Sequence, residues 1–526
     1  MEARNAEADG KGRESPIANQ SRNIVATLVG LGSEAELFHD TVGDGYARVD
    51  LGGHMAIYRL RSRPFKNWLA HQLWKSQGKA PSSEQLSSAI NVLEAKARHE
   101  ERSCQLYNRV APDPEGGFWY DLSDERWRAV HVTSQGWEIV DRPPILFRRY
   151  SHQQPQVEPV EGGDIVSLAN YFNLRDVDIV LVFVYLVTCF IPRIAHPILV
   201  VCGPTGSTKT MLTRMLRMIV DPSALDCMTL PRNERELVQQ LYHNWASYYD
   251  NVGALPRWIS DALCRASTGG GFSKRELYTD DDDVICSPSP CVAVNGINVT
   301  GTRPDFLDRS VIVRLDPLPN DARKTEKELL DDFRRDLPSI LAAIFGVLSK
   351  AIAMFPSIKI KEPPRMADFA AWGSAVAEAI GFGQKRFLDA YQENVRRQVE
   401  EATSGSLVAQ TLLAFMDGRQ EWIGTASTLL TELEIVAESL KISTRSRGWP
   451  KAPHSLSRRL NELKPSLLAL HLEIDHDRRG SKGERLIWIR RKIPQGKEGP
   501  DATDASKPTL DSFTVRDSSA IAGTKT

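Results

Sequence analysis

The chain has 526 residues, enough for roughly three to four domains. Its 41% hydrophobic and 25% charged residues are ordinary for a soluble globular protein and exclude a wholly disordered or fibrous chain. A formal charge of −1 supplies no global attraction to nucleic acid, so any DNA site must come from local patches. Seven scattered cysteines form no Cys-x-x-Cys pair, which argues against a zinc site or a disulfide framework and fits a reducing cytosol. Met1 to Asn23 is polar, with no apolar signal core. The longest apolar run, Ile179 to Ile191, is well short of the ~20 residues that span a bilayer. It reads as a buried helix, and a cytoplasmic protein without a membrane segment is expected.

Residues 1–23, rich in Glu, Asn, Gly and Ser, are expected to be disordered. Residues 24–150 read as an α+β accessory domain. Tyr46–Leu51 and Met55–Leu60 alternate like paired strands around Gly52-Gly53. Phe65–Gln77 and Ser83–Glu101 read as helices, and Trp119–Leu122, Trp127–Val132 and Gly136–Val140 as a short meander. The cluster Arg59, Arg61, Arg63 and Lys66 reads as a solvated strand end in preference to a nucleic-acid patch, because clustered surface charge is common. His54, His71 and His131 lack metal-ligand spacing. Pro143-Pro144 and Ser151–Gly163 look like a linker, and a helical segment from Ile165 to Ile191 follows.

The most informative stretch comes next. Ile198 to Val201 read as a buried strand. The loop Gly203-Pro204-Thr205-Gly206-Ser207-Thr208 leads into Lys209-Thr210, and then Met211, Leu212, Met215, Leu216 and Ile219 recur at helical spacing. Strand, Gly-rich loop and helix are the context of a phosphate-binding P-loop. Within Gly203 to Thr210 the backbone N–H groups, which all but Pro204 possess, would cradle the phosphates of ATP at the positive end of the helix. Lys209 would reach the β- and γ-phosphates, and the Thr210 hydroxyl would join Mg²⁺. Thr208 departs from G-x-x-x-x-G-K-[ST], since it stands where the second Gly belongs, and its Cβ would crowd the phosphates.

Hydrolysis needs an acid for Mg²⁺, a polar group to place water and a cation for the developing charge. Trp245-Ala-Ser-Tyr-Tyr-Asp-Asn251 is a strand-like run ending in Asp250, about 40 residues after Lys209, an acceptable βαβ spacing for a Walker B acid. Asp250 and Thr210 are therefore the expected metal ligands. The next position is Asn251 where a glutamate base would be expected. An amide orients water but cannot take its proton, so hydrolysis is expected to be slow or to use a base from elsewhere. A third apolar strand, Cys291–Val294, ends in Asn295, which would hydrogen-bond γ-phosphate and water, or simply form an Asn-Gly turn. Arg309, before the strand Val311–Leu315, is the candidate arginine finger for a neighbour's nucleotide. Arg303 competes for that role, and an ion pair with Asp305 or Asp308 is the plain alternative.

The order Gly203…Lys209-Thr210, Asp250, Thr268-Gly-Gly-Gly-Phe-Ser-Lys-Arg-Glu-Leu-Tyr278, Asn295, Asp308-Arg309 resembles a superfamily 3 helicase ATPase domain. It is most similar to the poxvirus- and phage-type primase–helicase branch and to ATP-binding proteins of bacterial mobile elements. The resemblance covers about residues 160–320 and implies a central AAA+-like P-loop ATPase core, a parallel sheet with helices. It also implies a hairpin at Thr268–Tyr278 that grips single-stranded DNA, with Lys274 and Arg275 as contacts. Such cations would give salt-dependent, sequence-tolerant binding. The acidic run Asp280–Asp283 must then face away.

Residues 321–403 read as a helical domain interrupted at Pro338 and by Pro356, Pro363 and Pro364. Residues 404–493 read as a winged-helix-like domain: helices at Ser427–Leu440 and Pro453–Leu463, then a hairpin with a basic tip. Arg458 and Arg459 on the second helix, with Arg478 and Arg479 on the wing, are its candidate DNA contacts. No role is readable for Arg365–Ala370. Residues 494–526 are expected to be disordered.

The whole is expected to be a multidomain α/β DNA-dependent ATPase, working as a homo-oligomer, with a hexameric ring among the candidate assemblies. Two readings compete: an ATP-binding switch or loader with little turnover, and a DNA-binding adaptor assembled by its ATPase core. The N-terminal region shows no triad of carboxylates at polymerase-like spacing, so primase activity is not supported.

Overall fold

A computed structural model describes residues 16–204, 206–253, 255–270, 272–275, 283–286, 290–296, 304–317, 325–404, 406–446, 448–477 and 485–492. The first unit packs α1 (Pro16–Ser33), α2 (Arg63–Gln77) and α3 (Ser83–His99) against an antiparallel sheet of β1 (Glu36–His39), β2 (Gly45–Asp50) and β3 (Met55–Arg59). Local signals set the helix limits. The Ser62 side chain accepts from Phe65 N at the start of α2, Gly78 closes it at φ +63°, and Ser82 and Gln85 form a capping box on α3. α1 starts at Pro16, inside the stretch whose composition suggests disorder. The helix that Leu28 anchors in the core runs back through those polar residues.

An antiparallel meander follows: β4 (Val110–Pro112), β5 (Phe118–Asp121), β6 (Ala129–Thr133) and β7 (Gly136–Val140). Val110, Phe118, Tyr120, Val130 and Val132 do not join the core of the first unit. They enter the main core with α4 (Asp176–Thr188), whose residues from Asp178 on are all but one buried. Residues 24–150, expected as one accessory domain, are thus divided between the first unit's core, the main core and two smaller clusters.

The centre is a parallel four-stranded sheet. It contains β8 (Ile198–Cys202), β9 (Ala246–Tyr249), β12 (Cys291–Gly296) and β13 (Ser310–Arg314), in the order β13-β8-β12-β9. Between them run α5 (Lys209–Val220), α6 (Glu234–His243), α7 (Arg257–Ser267), the hairpin β10 (Phe272–Arg275) and β11 (Asp283–Cys286), and the short α8 (Pro304–Leu307). Alternate strand residues face opposite sides. Leu199, Val201, Tyr248, Ala293 and Val311 enter the main core, while Ile198, Val200, Tyr249, Val292 and Ile312 enter a second core. Burial on both faces explains why these strands read as continuous apolar runs.

The next helix, α9 (Glu326–Met354), passes straight through Pro338, where the sequence predicts a break. The carbonyl that a proline leaves unbonded is that of Arg334, an exposed residue. By length and composition this helix is apolar enough to cross a membrane. Its Phe333, Leu337, Leu341 and Phe345 lie in the main core. Next come α10 (Ala367–Ile380) and α11 (Gln384–Ser404). The last unit, with its own core, runs α12 (Leu407–Phe415), β14 (Glu421–Thr425), α13 (Ala426–Ser439), α14 (Pro453–Ala469), β15 (Leu472–Asp477) and β16 (Leu486–Arg491). Its sheet order is β14-β16-β15, antiparallel throughout.

Phe345 links the layers, with ring centroids 5.6 Å from Tyr120, 5.9 Å from Trp137 and 5.6 Å from Phe190. Phe345→Ala removes a fully buried ring and should cost about 3–5 kcal/mol. Urea denaturation should show an earlier midpoint, and an unchanged midpoint would mean that these rings do not hold the meander to the core.

Candidate functional site

The candidate site lies at the carboxyl ends of β8, β9 and β12. After β8 the chain turns at Gly203, φ +154°. A Cβ there would lie 2.5 Å from Leu315 O and 2.6 Å from Ser207 Oγ, so only glycine fits. Gly206 adopts φ +82°. Thr208 sits at φ +60°, ψ +22°, in the left-handed region just ahead of α5. The out-of-pattern residue therefore keeps the backbone conformation that a glycine would adopt freely. A β-branched side chain there costs about 1–2 kcal/mol. Thr205 lies outside the described residues.

Lys209 folds back over this loop. Its Nζ donates to Gly203 O (2.9 Å), Pro204 O (2.8 Å) and Ser207 Oγ (3.4 Å). Thr210 Oγ1 donates to Asp250 Oδ1 at 3.0 Å, joining the first turn of α5 to the end of β9. The same Asp250 oxygen accepts from Asn251 N at 2.9 Å. Asn251 N also donates to Asn295 Oδ1 at 3.0 Å. Asn295 Nδ2 donates to Thr213 Oγ1 at 2.7 Å, and Thr213 Oγ1 lies 3.0 Å from the carbonyls of Lys209 and Thr210. Thr210, Asp250, Asn251, Asn295 and Thr213 thus close a ring of hydrogen bonds across three elements.

Asn295, which the sequence reads as reaching phosphate and water, is buried, and both ends of its amide are committed within this ring. Asn251 adopts φ +56°, a conformation that Asn tolerates. Thr213 was not singled out from sequence. Its signal is an uncharged polar residue on the buried face of α5, which also carries Arg217, one turn after Thr210.

Thr210 and Asp250 offer a hydroxyl and a carboxylate, the oxygen donors that a hard cation such as Mg²⁺ takes. Among the described residues no group of three or more His, Cys, Asp or Glu could hold a metal. Beside the loop a cleft of about 810 Å³, bordered by Gly206, Thr208, Thr210, Met211, Asn173 and Leu329, falls in the usual size range of small-molecule sites.

Arg309 lies at the other end of the sheet. Its carbonyl accepts from Ile198 N at 2.8 Å, level with the start of β8, whereas the loop follows the end of that strand. Five strand residues separate the two, about 16 Å. Arg309 Nη1 donates to Asp305 O at 3.0 Å and pairs with the Asp305 carboxylate. Arg365, for which no role was readable, donates to Asp305 Oδ1 and Asp308 Oδ2, both at 2.8 Å. Burial pushes both acids up. At Asp305 the Arg309 and Arg365 guanidiniums overcome it and hold the carboxyl below its ordinary range, whereas Asp308 stays above it.

The other candidates are spread out. Lys274 and Arg275 lie on β10, paired with β11 in the register Lys274↔Val284 and Arg275↔Asp283. Arg458 and Arg459 project from α14 with side chains 82% and 43% exposed, both within reach of Glu462. Arg303, Arg478 and Arg479 lie outside the described residues.

A parallel sheet carrying a glycine loop, a lysine and an acid at its strand ends narrows the class, and comparison with known proteins narrows it further. Residues 164–398 match the family model of the actinomycete integrative conjugative element replication protein. Residues 408–504 match the model of the AICE RepA C-terminal domain. Every described residue of the hydrogen-bond ring falls within the first match. Among solved structures, an apo form of the NrS-1 C-terminal region aligns at TM-score 0.39 and 13% identity, covering 88% of this chain and 98% of that one. Another apo structure of that region gives 0.40 and 12%, covering 89% and 98%. No curated protein matches.

Thr208→Gly should relieve the left-handed strain and raise stability by up to about 1 kcal/mol after glycine's entropy cost. Thermal melting checks this, and a lowered melting temperature would show that the threonine side chain is needed in the loop.

Proposed function

We propose that this chain is a DNA-stimulated ATPase that acts in replication of a mobile element, working as a ring of identical chains. The observation that carries the reading is the Thr210–Asp250 contact at 3.0 Å beside the Lys209 loop. It brings together three groups that a Mg²⁺-nucleotide site needs, drawn from positions 40 residues apart. The residues fit the cofactor. Thr210 and Asp250 would hold Mg²⁺, which when bound would neutralise charge on the β- and γ-phosphates. Loop N–H groups and Lys209 would hold the phosphates, and the ammonium would exchange its three loop acceptors for phosphate oxygens. The family matches support a replication role.

Arg309 is too far from its own loop to serve it, so it would act only on a neighbour's nucleotide, giving up its pairing with Asp305 to do so. The β10–β11 hairpin and the helix–strand–helix–helix–hairpin order of the last unit, a winged-helix order, supply the proposed single-stranded and general DNA contacts. One observation favours a second reading, an ATP-binding switch with little turnover: the residue after Asp250 is Asn251, so no carboxylate follows to take a proton from water.

The test is ATP turnover with and without single-stranded DNA. Wild type should turn over faster with DNA, and Lys209→Ala should lose at least about 100-fold. Tight binding with negligible turnover, restored by Asn251→Glu, would select the switch. No binding and no turnover would sink both readings. Arg309→Ala and Lys209→Ala should each be inactive alone and regain activity when mixed, because a mixed ring pairs an intact loop with an intact arginine. Failure to complement would place Arg309 outside catalysis.

A further inference from the structure

The region ahead of residue 164 lies outside both family matches, yet it grips the helix that carries Lys209 and Thr210. A helix end leaves its last carbonyls without intrahelical partners. At the end of α5 these partners come from the meander and the segment after it. Gln156 Nε2 donates to Met218 O (3.1 Å) and Ile219 O (2.9 Å), and Tyr120 Oη donates to Val220 O (3.1 Å). Arg109 Nη2 donates to Pro222 O at 3.2 Å, just past the helix. Tyr120 Oη also lies 3.1 Å from Gln156 Nε2, whose two hydrogens are shared among these three acceptors, tying the grip together. A cation here also suits the negative end of the helix dipole.

Asp221 makes this grip reach further. It is completely buried, as is Arg109, whose Nε donates to Asp221 Oδ1 at 2.9 Å. The remaining guanidinium nitrogens bind Asp121 O and Gln154 O at 3.1 and 3.2 Å. The other Asp221 oxygen accepts from Trp245 N (3.0 Å) and Ala246 N (3.1 Å), where β9 begins. One carboxylate therefore joins the tail of α5 to the head of β9. The opposite ends of those two elements carry Thr210 and Asp250. α5 is about 18 Å long and β9 about 13 Å. Both are short and rigid, so fixing their far ends fixes the distance between the hydroxyl and the carboxylate.

We propose that the meander and the segment after it are a working part of the nucleotide site: Tyr120 and Gln156 through the last carbonyls of α5, and Arg109 through Asp221, position the Thr210–Asp250 pair and so set the affinity for Mg²⁺. These are positioning residues, since none reaches the loop. The inference rests on the nucleotide site proposed above.

The test uses the full chain with Tyr120→Phe plus Gln156→Met, which removes the hydroxyl and amide contacts but leaves the buried ion pair. Asp221→Asn is a stronger cut, and if it fails to fold the double variant carries the test. Mg²⁺ is titrated at fixed fluorescent ATP analogue, and analogue binding is repeated without Mg²⁺, alongside thermal melting. Mg²⁺ affinity should fall at least about tenfold, as it does when groups that orient metal ligands are removed. Mg²⁺-free binding should change little. A lowered melting temperature with unchanged Mg²⁺ affinity would overturn the proposal and leave the grip purely structural. An equal fall with and without Mg²⁺ would also overturn it, because the whole loop would then be disturbed. Wild type that binds no analogue would sink the functional reading and this inference together. Wild type that binds, with unaltered variants, would sink only the inference.

Discussion

Everything proposed for this protein depends on one short contact, the Thr210 hydroxyl against the Asp250 carboxylate at 3.0 Å. Neither residue could reach the other without the parallel sheet. β8 delivers the loop and α5, and β9, two strands away, delivers the acid, with β12 between them. Asn295 at the end of β12 bridges the gap by binding Asn251 N on one side and Thr213 on the other. The middle strand thus acts as a spacer, and its asparagine locks both neighbours in place.

The loop itself is a compromise between pattern and geometry. Gly203 is required because Leu315 O and Ser207 Oγ leave no room for a Cβ. Thr208 shows that the backbone conformation matters more here than the residue type. The left-handed turn is kept at a cost that glycine would not bear. The buried ion pair Arg109–Asp221 at the far end of α5 has the opposite character. Arg109 makes four hydrogen bonds and both side chains are inaccessible, so losing Asp221 would leave a buried guanidinium without its carboxylate. Strain at the head of α5 and rigidity at its tail fit a helix that must present two side chains at fixed positions.

Much of this was legible in the sequence, for clear physical reasons. Continuous apolar runs flagged β8 and β12 because both faces of the sheet are covered, and period 3.6 flagged α5. The acid and the amide were found because they end such runs. What stayed hidden depends on tertiary meetings. Arg365 has no local signal, since its partners Asp305 and Asp308 lie 60 and 57 positions away. Arg109 lies in a region without motifs, and only folding brings it to Asp221, 112 residues on. The division of residues 24–150 among several cores is invisible for the same reason: alternation reveals that a strand has a buried face but not what covers it. Pro338 misled because a proline's local cost in a helix is outweighed here by packing: Phe333, Leu337, Leu341 and Phe345 on either side of it lie in the main core.

The most direct measurement is a calorimetric titration of ATP into the full chain, with and without Mg²⁺, for wild type and Asp250→Ala. The account predicts Mg²⁺-dependent binding by wild type and loss of that dependence in the variant. Identical Mg²⁺-supported binding by both proteins, or none by wild type, would contradict it.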